Sequence, residues 1–450
     1  VARRDSQFAR TPGESIFVVF LLEARASIWH WFDQSIGEKG GMEVVTGSHR
    51  DWWIGYCTNV HAGTDLDTAK ESLDRYAIAA HQKLAGWQSI GVGLWLPATA
   101  ASVARQPEHA LAFDRWLRER SIDVRTMNGF PHGNFHQPVV KHRVYEPTWW
   151  EEERYRYTVD LVHLLGRLMP EGATGSISTL PISWGSPEPS EAQWEKAASQ
   201  LKRLAAELAE FRSQTGREVV VCLEPEPGCA LGTTAQLRDF FESYLFAGED
   251  RQVVRRHIGW CHDICHAAVM REEQEAEIQA CFDMGIRLGK VQVSSALAIH
   301  WSDYQVGQKQ EVLAQLSSFA EDRYLHQTVA ESATGARRWY EDLPLALASI
   351  DDVERMEGRW IVHFHVPIHL TQMGILDTTG DQIGRCVEIV RKLQSQEMAD
   401  PWDWFTGIWE VETYAWGVLP QRLRPADLSE GIAAELQWFR AVALDNSHFC

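Results

Sequence analysis

What the chain lacks narrows the field before any motif is read. No stretch of about 18 uninterrupted apolar residues occurs, so nothing reads as a membrane-spanning helix. Basic residues are scarce: 43 Lys and Arg stand against 62 Asp and Glu, a formal charge of −19. Proteins whose main partner is a nucleic-acid backbone usually carry a basic surface, and that class is set aside. There is no GxGxxG or Walker string to cradle a phosphate and no GxSxG elbow for a serine hydrolase. Cysteine is thin and scattered, 8 in all, with Cys261 and Cys265 four apart and no second pair to complete a zinc-ribbon spacing. Reduced thiols and a cytoplasmic location are the expectation. No internal repeat or low-complexity linker divides the chain. The 450 residues therefore read as one elaborated domain, which α/β barrels of this length commonly are.

The first 41 residues stand apart. Residues 15–22 are mostly apolar and follow basic residues, a faint mimic of a signal peptide, but no small-residue cleavage site comes after them. A poorly ordered leader over 1–41 and a domain over 42–450 are expected.

From Trp53 onward, strand-like and helix-like stretches alternate. Strands are expected at 54–61, 90–96, 124–129, 175–182, 218–224, 258–263 and 288–294. Helices are expected at 64–84, 98–121, 147–168, 190–215, 233–246, 272–284 and 429–444. This rhythm implies right-handed parallel crossovers, and so many units favour a closed TIM (β/α)8 barrel with loop insertions. Two apolar runs, 360–366 and 407–413, compete for the place of the eighth strand.

Two strings at strand ends carry most of the chemistry: Cys222-Leu-Glu-Pro-Glu-Pro227 and Cys261-His-Asp-Ile-Cys-His266. The carboxyl end of a barrel strand is where such a fold keeps its active residues. Side chains two apart on a strand share a face, so Cys222 and Glu224 point together, as do Cys261 and Asp263. His266 lies on the turn that follows. His363 and His365 share a face, as do Gln292 and Ser294, and Glu410 and Glu412. Carboxylate oxygen with imidazole nitrogen suits a divalent Mn, Zn, Co or Fe better than calcium. The expected ligands are Glu224, Asp263 and His266 with one or two of His365, Glu412 and Gln292. Glu224 and Glu412 act as ligands or as the acid–base pair. His61, His132, His136, His326, His363 and Trp416 are candidates for holding substrate, and His300 is a weaker one. Trp95, Trp184, Trp260 and Trp409 also fall near predicted strand ends, where large rings wall a pocket or pack the core.

Leu223-Glu224-Pro225 followed by His262-Asp263-Ile264-Cys265-His266 resembles the xylose isomerase-like barrel superfamily of sugar isomerases, epimerases and endonuclease IV-like nucleases. The resemblance implies a divalent metal on the strand-five Glu and the strand-six Asp-x-x-His. It also places Gln292 where the epimerases carry a His ligand, and Asp322-Arg323-Tyr324 where the nucleases carry Asp-Arg-His, which argues against three metals and DNA repair. A longer set of strings looks like the EboE family of metabolite-traffic proteins: Tyr56-Cys-Thr-Asn-Val-His61, Asn128-Gly-Phe-Pro-His-Gly133, His363-Phe-His-Val-Pro367 and Glu410-Val-Glu-Thr-Tyr414. That likeness implies work on a secondary-metabolite precursor beside membrane-bound pathway partners. The expected function is a metal-dependent isomerase or epimerase for a sugar-like or cyclitol-like small molecule, phosphorylated or not. A homodimer is the expected assembly. A non-catalytic carrier and a metal-dependent hydrolase are the alternatives.

Overall fold

Short, largely buried runs rich in apolar residues and glycine are what a parallel barrel strand requires. The computed structural model describes residues 52–61, 63–396, 403–424 and 427–444. The expected leader at 1–41 lies outside them. Seven such runs form β1 (Trp53–Cys57), β2 (Ile90–Leu94), β3 (Ile122–Asn128), β4 (Thr174–Thr179), β5 (Glu218–Leu223), β6 (Ile258–Asp263) and β7 (Arg287–Val293). The strands pair in sequence order, all parallel.

The chain then leaves the barrel. β8 (Leu297–His300), β9 (Thr328–Glu331), β10 (Arg337–Tyr340), β11 (Arg359–Val362), β12 (Gln372–Met373) and β13 (Leu376–Thr378) build a separate antiparallel sheet. β14 (Ile408–Val411) returns and closes the barrel between β7 and β1. The choice between the two competing runs falls on the second. A parallel strand needs a crossover, and the amphipathic helix Asp381–Gln394 supplies one before β14. β8 begins only three residues after β7, too soon for a crossover, so β8 and β11 pair antiparallel instead. The fold is a TIM barrel with one large insertion.

Helices cover the barrel. The expected helix 98–121 is two, Ala98–Ala104 and Pro107–Glu119, because Pro107 lacks the N–H to continue the first and suits the opening turn of the second. Glu191–Thr215 starts on a Ser190–Gln193 capping box and stops at Gly216, whose φ of 69° suits glycine. The barrel interior is narrow: a Cβ on Gly93 would sit 1.3 Å from a Glu410 carboxylate oxygen, so glycine leaves that carboxylate its room. Glu410 forms an ion pair there with Lys290, and both side chains are fully buried. Trp95, Trp260 and Trp409 are buried core residues.

Candidate metal centre

Asp263 closes β6 and caps the helix Ile264–Val269. Its Oδ1 accepts the His266 backbone N–H at 2.9 Å and the Ser294 hydroxyl at 2.8 Å. Its Oδ2 is buried with no hydrogen-bond partner. The spacing of an N-cap to the third helical residue is what sets His266 beside this carboxylate.

The His266 Nδ1 donates to the Pro225 carbonyl at 2.9 Å. In the neutral ring Nε2 then holds the lone pair, 3.9 Å from Asp263 Oδ2. His365 repeats the arrangement. Its Nδ1 donates to the Glu412 carbonyl at 2.8 Å, and its Nε2, buried and without a partner, lies 3.8 Å from Asp263 Oδ2. Anchoring one ring nitrogen on a carbonyl, leaving the other free, is how a protein orients a metal-binding histidine. Glu224 leaves β5 with its Oε2 buried and unpartnered. Glu412, just past β14, is held through Oε1 by the side-chain amides of Asn59 (3.1 Å) and Asn128 (3.2 Å).

The ligand atoms of Asp263, His266 and His365 lie within 4.8 Å of one another, as do those of Glu224, Asp263 and Glu412. Nitrogen and oxygen bind zinc-sized ions at about 2.0–2.2 Å, so ligands sharing one ion stand no more than about 4.2 Å apart. The 3.8 and 3.9 Å separations meet that limit. The ligand atoms of a third trio, Cys265, His363 and His365, also lie within 4.8 Å of one another. There burial pushes the Cys265 thiol up, away from the thiolate a metal binds, and its side chain packs with Val269, Ala298 and Ile361.

The electrostatics fit a cation. Glu224, Glu226, Asp263 and Glu412 are all buried near three imidazoles. Burial, opposed by His266, pushes Glu224 up to about 7. Burial, with the anions of Glu224, Asp263 and Glu410, pushes Glu412 well above the carboxylate range. For Asp263 burial acts upward, but His266, His365 and the two hydrogen bonds to Oδ1 outweigh it and hold the carboxyl low. For His266 burial acts downward and the carboxylates of Asp263, Glu226 and Glu224 outweigh it, raising the imidazole. Burial takes His365 down to about 4. Unpartnered oxygens, unpartnered imidazole nitrogens and excess carboxylates form a donor set for a divalent ion.

The structure thus brings together Glu224, Asp263, His266, His365 and Glu412. His363 lines the same cleft, with Nδ1 2.6 Å from Gln327 Oε1 and Nε2 buried without a partner. Gln292 is level with Asp263 on one side and Glu410 on the other, both amide atoms buried and unpartnered.

The other expected substrate contacts fall elsewhere. His61 and Trp416 line a different cleft, where His61 bonds the Tyr56 hydroxyl and stacks on Tyr76, and Trp416 donates to Glu435. His132 packs edge-on against Tyr157 and His136 against Trp95. His326 is fixed between the His363 carbonyl and Glu321. His300 pairs with Asp377 in the insertion. Their loops do leave the carboxyl end of the barrel, but these rings turn into packing partners instead of the cleft. Sequence reasoning missed Asn59, Asn128, Glu226 and Tyr145, which all line the cleft. The signal for the first three was present: each is a polar residue within three positions of a strand's carboxyl end.

No protein-family profile and no curated protein matches the chain. Solved structures resemble it at low identity. A xylose isomerase-like TIM barrel protein from Mycobacterium smegmatis in complex with magnesium has a TM-score of 0.47 and 10% identity, over 87% of this chain and 98% of that one. A D-tagatose 3-epimerase-like protein gives 0.43 and 11%, over 88% and 99%. The 3-keto-D-glucoside 4-epimerase YcjR from E. coli gives 0.40 and 12%, over 86% and 98%.

Proposed function

We propose that this protein is a divalent-metal-dependent isomerase or epimerase acting on a sugar-like or cyclitol-like carbonyl compound. It serves the making or movement of a secondary-metabolite precursor, as the EboE-like strings imply. The observation that carries the catalytic reading is a pair of close trios, Asp263 with His266 and His365 and Asp263 with Glu224 and Glu412, that share Asp263 and its unpartnered Oδ2, with both histidines anchored through Nδ1.

Glu224, Asp263, His266, His365 and Glu412 would hold the ion. When bound, a divalent cation polarises a carbonyl oxygen and stabilises the negative charge that develops as the neighbouring carbon loses its proton. The protein supplies the rest. β5 and β14 stand three strands apart around the barrel, so Glu224 and Glu412 approach the cleft from different sides. Removing a proton from one face of a carbon and returning one to the other needs that placement. Asn59 and Asn128 fix the Glu412 carboxyl, and Ser294 fixes that of Asp263.

The test is metal content, followed by proton exchange. Protein purified without chelators should carry about one equivalent of Mn, Zn, Co or Fe, and a Glu224→Gln/Asp263→Asn variant should carry none. The loaded protein, incubated in D2O with ketoses and cyclitol ketones, should place deuterium on the carbon next to the carbonyl. Ligand binding without exchange would instead identify a carrier. No metal in the wild type, even after soaking, overturns the reading.

A further inference from the structure

The cleft has two zones of opposite character. Its floor is the carboxylate and imidazole cluster. Above the floor, the wall is apolar and aromatic: Phe130, Phe135 and Val140 from the loop after β3, Val144 beyond them, Tyr324 from the insertion and Tyr414 after β14. Phe135 stacks on Tyr324 with centroids 4.8 Å apart, and Tyr414 meets both rings edge-on at 5.7 and 5.2 Å. Tyr414 also lies 4.7 Å from the His365 ring, so this cluster runs continuously down to the candidate ligands. The space in and immediately outside the cleft, open solvent included, is about 550 Å3.

The wall offers nothing to an anion. Among the lining residues the one lysine or arginine is Lys141, and its ammonium is 2.7 Å from the Asp342 carboxylate. A phosphate on the substrate would meet aromatic faces and a carboxylate-rich floor, and among the lining residues no guanidinium or ammonium is free to bind it; Arg323, 5.9 Å from the Tyr324 ring centroid, is not one of them. An alkyl or aryl group would bury its surface there.

Resting on the isomerase reading above, we infer that the substrate is an uncharged polyhydroxy carbonyl compound joined to an apolar group, an aryl or alkyl conjugate of a sugar or cyclitol, and not a sugar phosphate. The polyol half occupies the floor, and the apolar half lies against Phe135, Tyr324 and Tyr414.

Hydroxamates test this without knowledge of the sugar, because the head binds a divalent ion and the tail can be varied. Titration of the full chain loaded with Mn2+ would compare acetohydroxamate, benzohydroxamate and phosphonoacetohydroxamate. Benzohydroxamate should bind at least about tenfold more tightly than acetohydroxamate, and the phosphonate no more tightly than acetohydroxamate. Phe135→Ala and Tyr324→Ala should each shrink the benzohydroxamate advantage while leaving acetohydroxamate binding, which reports an intact floor, unchanged. Equal affinity for the first two probes, or tightest binding of the phosphonate, overturns the inference while the metal-site reading stands. A chain that retains no metal overturns both.

Discussion

The two ends of one barrel handle buried charge in opposite ways. At the amino end Glu218, the first residue of β5, is surrounded by three arginines. Arg287 donates to one carboxylate oxygen at 2.6 Å; Arg256 at 2.6 Å and Arg212 at 2.9 Å reach the other. Arg287 also donates to the carbonyls of Asp403 and Arg256. At the carboxyl end, six residues on and just past the same strand, Glu224 keeps Oε2 without a partner, and neighbouring Asp263 keeps one oxygen bare. Between them lies the Lys290–Glu410 ion pair, in which the Glu410 Oε2 is paired and the Oε1 is not. Satisfied charge marks a structural layer. Unsatisfied buried charge is costly, and a fold retains it where something else is meant to complete it.

Substitutions in the three layers sharpen that contrast. The largest effect is expected in the middle layer, where Lys290→Met leaves the Glu410 carboxylate buried and alone. It should cost about 4 kcal/mol in urea unfolding, and adding Glu410→Met should recover most of the loss. A single-variant loss under about 1 kcal/mol would mean that water reaches the pair. At the amino end Glu218→Gln should cost about 3 kcal/mol, since it removes the one carboxylate on which three guanidinium groups converge. The equivalent change at the carboxyl end should have the other sign. Glu412→Gln keeps a carbonyl oxygen for Asn59 and Asn128 and removes a carboxyl that burial disfavours as an anion. The metal-free variant should match the wild type or exceed its stability by up to about 1 kcal/mol, while losing metal affinity. If both ends lose stability alike without metal, the distinction between them fails.

The same contrast explains what the sequence made legible. The expected bounds of β6, 258–263, are the observed ones, because a fully buried parallel strand is an apolar run with turn signals at both ends. Asp-x-x-His could be read because its spacing is local, an N-cap and its helix. The pairing of Lys290 with Glu410 could not, since a charge inside an apolar run looks like an interruption until its partner 120 residues away is known. The eighth strand was ambiguous because Trp360-Ile-Val and Ile408-Trp carry the same β-forming chemistry. The preceding crossover helix decides between them, and strand composition does not. His365 is the most instructive case. It arrives on the stretch after β11, outside the barrel strands, positioned by the Val366 N–H to Ser295 carbonyl bond and by its own bond to the Glu412 carbonyl.

The remaining difference is in pH dependence, and it too separates the ends. Burial would raise Glu218, but Arg287 and Arg256 outweigh it and hold the carboxyl down to about 2, against an ordinary 4.5. That stabilisation is complete above about pH 4.5 and is lost as pH falls towards 2. At the carboxyl end Glu435 bonds Thr413, Trp416 and the Ile368 N–H, yet burial prevails and takes it up to about 7. In that interval the folded state keeps a proton the unfolded state has released, so stability falls as pH rises from 4.5 to about 7. One such group gives a slope of at most about 1.4 kcal/mol per pH unit. Urea unfolding of the metal-free chain across pH 3 to 8 resolves the two. Glu218→Gln should flatten the acid limb, and Glu435→Gln should lessen the decline between pH 4.5 and 7, leaving the other limb in place in each case. An unchanged decline in Glu435→Gln would transfer that proton to the metal-site carboxyls, where Glu224 also stands at about 7, and would make added metal the way to abolish it.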